Sequence, residues 1–190
     1  MPRRAGHTTS FAGVAAGVFL ACVPRPAAQA QLTDGYVFDG GTARERATVR
    51  AALAASSFDW GLVRGKVTIH IARGSGCRAT KGKIWLAPGM LAHGRDAWGI
   101  VQHEYAHQLD YFRFDARIRA RLDRLLRGKT WWPNGRFRHD QYGAERFAST
   151  LSYAYWPSRH NILLRGAHAE ATALPPARFR RVVEAVLFPR

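Results

Sequence analysis

Cysteine is almost absent from this chain. Of its 190 residues only Cys22 and Cys77 are cysteines. Cys22 falls in an N-terminal leader, so Cys77 stands alone in the remainder, which excludes an internal disulfide and a cysteine-based zinc site. Lysine is scarce as well: Lys66, Lys81, Lys83 and Lys129 are outnumbered by 25 arginines, and acids are few (13), which leaves a formal net charge of +16. The apolar run Phe11 to Val23 is shorter than the roughly 20 residues that span a bilayer. Residues 31–190 carry no internal repeat and no low-complexity segment. With 47% hydrophobic and 12% aromatic residues, the composition supports a packed core rather than disorder.

The leader has the parts of a signal peptide. Arg3 and Arg4 give a positive start, the apolar run follows, and Ala28-Gln29-Ala30 is an A-x-A cleavage signal that leaves Gln31 first. The expected organisation is therefore a signal peptide over 1–30 and a single domain over 31–190, secreted or held outside the cytoplasm in the cell envelope, with no transmembrane segment once the leader is cut. Ala5-Gly6-His7 does not continue a twin-arginine motif. Leu20-Ala21-Cys22 matches part of a lipoprotein box, but Phe19 is an unusual lead residue. Without Arg3, Arg4 and Arg25 the charge falls from +16 to +13. Such charge suits nucleic acid, yet an exported protein rarely meets it. Anionic cell-envelope polymers or lipid surfaces are the expected partners, against a plain solvated basic surface.

Periodicity predicts the elements. Gln31–Gly41 reads as a polar, Gly-rich lead-in, and Thr42–Ser56 as a helix. Lys66–Ala72 alternates as a strand with Val67, Ile69 and Ile71 on one face, which makes His70 a structural face residue. Gly74–Gly82 reads as a loop and Lys83–Ala87 as a second strand. Helices are expected over Arg95–Phe112, Phe114–Arg127, Gln141–Tyr155 and Ala177–Phe188. Arg117, Arg119, Arg121 and Arg124 should be largely solvated, and Gly128–Asp140 forms a loop marked by Pro133-Asn134-Gly135. The fold class is α+β: a short antiparallel or mixed sheet with an active-site helix and further helices.

Within the predicted Arg95–Phe112 helix lies His103-Glu104-Tyr105-Ala106-His107, an H-E-x-x-H pattern. Residues four apart on a helix share a face, so His103 and His107 can offer two imidazoles to one zinc ion. Glu104 projects beside them, where a carboxylate can take a proton from the attacking water and return it to a leaving amine. Solvated polar groups on a surface helix would give the same letters. The flanking Trp98, Ile100, Val101, Tyr105, Ala106 and Leu109 argue instead for a buried helix, in which unpaired polar groups are costly.

A catalytic zinc site needs a third protein ligand. Glu145 opens the apolar stretch Phe147-Ala148 and Leu151, at a helix start where the helix dipole favours a carboxylate. The chain between His107 and Glu145 has room for a helix, a turn and a returning helix. Asp110 is the rival. On a continuous helix, however, it sits about 10 Å along the axis from His103, and no Gly or Pro breaks the helix between Glu104 and Asp110. Such an Asp more often orients a ligand or an arginine.

His103-Glu104-Tyr105-Ala106-His107 followed by Glu145 resembles the gluzincin zinc metallopeptidases. Glu145-Arg146-Phe147-Ala148 is similar to the E-x-F-A stretch of lethal-factor-like members. The resemblance covers about residues 66–156. It implies a small zincin domain, Zn2+ held by His103, His107 and Glu145, Glu104 as general base, and a peptide or protein substrate. It also implies Ser149 bonded to a zinc histidine and Lys83–Ala87 as the edge strand that pairs with extended substrate. The chain lacks the large C-terminal helical domain of thermolysin-like members. No transition-state donor maps securely: His139 and Tyr142, both in the loop before Glu145, are the candidates. The expected activity is peptide-bond hydrolysis by an exported zinc peptidase. The alternative is a catalytically weak, zinc-stabilised module that binds anionic envelope polymers. A DNA-associated peptidase fits the charge but conflicts with the leader.

Overall fold

Alternation along Val67–Ile71 builds the centre of the sheet: Val67, Ile69 and Ile71 are buried while Thr68 and His70 are half-buried. A computed structural model describes residues 35–164 and 173–188; the expected leader, its cleavage site and Cys22 lie outside them. The strands are β1 (Tyr36–Gly40), β2 (Val67–Ile71), β3 (Arg78–Thr80) and β4 (Lys83–Leu86). Their order in the sheet is β1-β2-β4-β3. β1 and β4 both run parallel to β2, with Phe38 and Ile84 opposite Ile69, and β3 folds back antiparallel on β4. The sheet is mixed and the fold is α+β.

Two strands depart from expectation. The lead-in expected up to Gly41 contains β1, a half-exposed strand whose partner β2 lies far along the chain. Gly40 ends it at φ +75, where a Cβ would meet the Ile71 carbonyl oxygen at 2.6 Å, so the glycine permits both the turn and the close approach. The loop expected over Gly74–Gly82 contains β3. As a result Lys83–Ala87 is not the edge strand: β4 is interior, and Arg78–Thr80 forms the edge.

The helices are α1 (Ala43–Ala55), the single turn α2 (Pro88–Leu91), α3 (Trp98–Arg113), α4 (Ala116–Leu126), α5 (Gly143–Tyr155) and α6 (Pro176–Leu187). Thr42 and Glu45 form a capping box at the start of α1, and Asp115 caps α4 by accepting from the Ile118 amide at 2.7 Å. No helix among the described residues is long and apolar enough to cross a membrane.

α3 packs against α1, α5, β3 and β4, and every residue from Val101 to Asp110 is buried. Leu109 joins Leu53 of α1, Ile84 and Leu86 of β4, and Phe147 and Leu151 of α5 in one core. Buried amides and hydroxyls set the register. The Gln102 amide donates to Ala52 O at 2.7 Å, and the Ser152 hydroxyl donates to Gly99 O at 3.1 Å. Gln108 donates to Thr80 O at 2.9 Å and accepts from the Gly82 amide at 2.8 Å, which fastens the β3–β4 turn to α3. Each such bond contributes about 0.5–1.5 kcal/mol net. Together they hold the face carrying His103 and His107 against α5 and the sheet edge.

Candidate metal centre and cleft

His103 and His107 lie one turn apart on α3, their rings crossed at 86° with centroids 4.7 Å apart. Glu145 enters from the first turn of α5. His103 Nε2 stands 3.1 Å from His107 Nε2 and 3.0 Å from Glu145 Oε2, and His107 Nε2 stands 3.4 Å from that oxygen. All three residues are buried, and their ligand atoms lie within 4.8 Å of one another.

These separations suit one ion. Tetrahedral ligands about 2.0–2.1 Å from a metal stand about 3.3 Å from each other, close to the three distances above. Two imidazoles and a carboxylate converging on a common point are also the kinds of ligand that such an ion takes. His103 Nδ1 lies 2.9 Å from the Ser149 hydroxyl, a contact that orients the ring with Nε2 toward the cluster. His107 departs from that pattern, because its Nδ1 is buried with no hydrogen-bond partner among the described residues. His103, His107 and Glu145 could thus hold a metal ion.

Electrostatics separates the two glutamates. Burial pushes the Glu145 carboxyl up, but hydrogen bonds from His103, His107 and His139 outweigh it and hold the group well below the usual carboxylate range. Glu104 is raised: burial dominates, the charges of His103, His107 and His139 oppose it, and Glu145 adds to it. The same pocket thus pushes its two carboxyl groups in opposite directions.

Asp110 is fully buried and does not join the cluster. Its Oδ1 accepts from Arg119 Nε at 2.8 Å and its Oδ2 from Trp131 Nε1 at 2.8 Å. Arg119, expected among the solvated arginines of α4, is therefore half-buried, whereas Arg117, Arg121 and Arg124 are exposed. Burial raises the Asp110 carboxyl, opposed by its bonds to Arg119 and Trp131.

The two donor candidates separate. His139 lies in a short 3-10 turn before α5, with Nε2 3.1 Å from Glu145 Oε2. Tyr142 is buried inside the loop: its hydroxyl accepts from the Phe137 amide at 3.0 Å and donates to Asn134 Oδ1 at 3.3 Å. His70 is a structural residue, with Nδ1 2.7 Å from Asp39 Oδ2 and its ring stacked on Trp85.

A cavity of about 240 Å³ opens over the cluster, lined by Glu104, His139, His103, His107 and Glu145 together with Cys77, with Arg78 and Ala79 of edge strand β3, and with Tyr111, Trp132 and Pro133. Sequence reasoning missed these last walls. Tyr111 continues the spacing of four from His103 through His107, a usable signal, and two adjacent tryptophans in a polar loop are another. Cys77 is half-buried, and burial pushes its thiol up, away from nucleophilic use. In comparisons with known proteins, no family model, no curated protein and no solved structure matches the chain.

Proposed function

We propose that the protein is a zinc-dependent metallopeptidase of gluzincin type, exported to the cell envelope or beyond, that hydrolyses peptide bonds. The observation that carries this reading is the convergence of His103, His107 and Glu145 at near-tetrahedral spacing, with Glu104 buried in the same cavity. A zinc ion there would supply Lewis acidity, lowering the pKa of a water and polarising the scissile carbonyl. Glu104 takes the proton of the attacking water and passes it to the leaving amine; its raised affinity for protons suits a base that must then act as an acid. His139, which lines the cavity with Nε2 3.1 Å from Glu145 Oε2, is the candidate for stabilising the carbonyl oxygen as it gains charge. A site built only for structure has no use for the Glu104 carboxylate.

The second reading is a weakly catalytic, zinc-stabilised module that binds anionic envelope polymers. Its support is the exposed row Arg117, Arg121 and Arg124 on α4, with spacing that puts them on one helix face.

The deciding experiment compares the zinc-loaded wild type with Glu104→Gln on a complex peptide pool, with new N-termini read by mass spectrometry. The proposal expects wild-type cleavage at defined bonds and a loss of at least about 10²-fold in the variant, with its zinc retained. Equal cleavage by both proteins removes Glu104 as base, and no cleavage by the wild type transfers support to the binding module.

A further inference from the structure

One wall of the cavity takes no part in the chemistry above. Tyr111 follows His107 by four residues on α3, so its ring continues the line of the two imidazoles. Its hydroxyl donates to Ala79 O of edge strand β3 at 3.3 Å. The Trp132 ring stacks on Tyr111, centroids 5.2 Å apart and planes at 14°. The Arg119 guanidinium lies 5.1 Å from the Trp132 centroid, a cation–π contact. Asp110 holds Arg119 through both its carboxylate and its carbonyl, and it also holds the indole of the adjacent Trp131. The loop is pinned at its base: the Lys129 amide donates to Gln141 O at 2.8 Å and the Gly143 amide to Thr130 O at 2.9 Å.

The result is an indole that is locked in place yet 36% exposed at the mouth of the cavity. Fixing a bulky side chain costs conformational entropy, and an exposed, preorganised Trp is the residue type that anchors ligands. Tyr111 Oη is engaged with Ala79 O and Arg119 with Asp110, while the stacked Tyr111 and Trp132 rings and Pro133 present ring surface to the cavity. What the wall offers is apolar surface.

We infer that Tyr111, Trp132 and Pro133 form the specificity subsite, which takes an aromatic or long aliphatic side chain of an extended peptide laid along β3. This rests on the peptidase reading for the nature of the substrate. Asp110 acts here as a positioning residue, through Arg119 and Trp131.

The test is binding, measured on zinc-loaded Glu104→Gln so that nothing is turned over. Labelled, blocked hexapeptides that differ only at one central position (Phe, Leu, Asp or Gly) are titrated by fluorescence anisotropy. The Phe and Leu peptides should bind at least about 10-fold tighter than the Gly and Asp peptides. Trp132→Ala in the same background should erase that difference, and Trp132→Phe should keep most of it; circular dichroism and zinc content verify that each variant is folded. Equal binding of all four peptides, a preference that survives Trp132→Ala, or no binding at all would overturn the subsite, as would Trp132-dependent binding of a chito-oligosaccharide in place of peptide. Wild-type cleavage of the same peptides separates the two claims. Cleavage without preference sinks the subsite alone. Preferential binding without cleavage keeps the subsite and removes the peptidase reading.

Discussion

Glu145 and Asp110 divide the two tasks a carboxylate can perform beside this pair of imidazoles. Glu145 meets both Nε2 atoms, so Glu145→Ala should remove a charged ligand and weaken zinc severely. Asp110 instead satisfies Arg119 and Trp131. Asp110→Asn should leave zinc affinity closer to wild type than Glu145→Ala does and lower stability by about 1–3 kcal/mol, since Trp131 keeps an acceptor and part-exposed Arg119 regains water. Competitive zinc titration and urea unfolding of both variants check this; a larger zinc loss in Asp110→Asn would reverse the assignment. At this scale the helical spacing of His103, Glu104 and His107 was legible because it is local. Glu145 was legible through its place at the start of an apolar helix. The choice between His139 and Tyr142 was not, because the path of the Gly128–Asp140 loop depends on contacts such as Tyr142 with Asn134 that no local pattern encodes.

At the scale of elements, the approach of α5 to its surroundings fixes where Glu145 arrives. Gly143 begins α5 with ordinary backbone angles. A Cβ there would sit 2.1 Å from Asp123 Oδ1 and 2.7 Å from the Trp131 ring. Gly143→Ala should therefore displace Trp131 from Asp110 and destabilise the protein by about 1–3 kcal/mol, despite the better helix propensity of alanine. Denaturant unfolding would show it, and unchanged stability would mean that α5 shifts freely. The long elements α3 and α5 were readable from their periodicity. β1 and β3 were not: both are short, and what makes Tyr36–Gly40 and Arg78–Thr80 strands is pairing with β2 and β4. The resemblance makes Lys83–Ala87 the sheet edge, and the pairing of β3 with β4 is what moves that edge to Arg78–Thr80.

Across the whole molecule, the net charge of +16 was plain from composition, but its distribution was not; the capture of Arg119 by Asp110 needed the fold. The exposed α4 arginines predict retention on a polyanionic resin at low salt and release toward 1 M, where the Debye length is about 3 Å; retention that ignores salt would count against an electrostatic surface. Everything proposed about chemistry rests on one claim, that α3 and α5 together hold a single metal ion. The most direct measurement is the metal content of the purified protein after loading with zinc and removal of excess. One zinc per chain is expected in the wild type and none in His103→Ala or His107→Ala; stoichiometric zinc surviving either substitution would rule out a shared site on these residues.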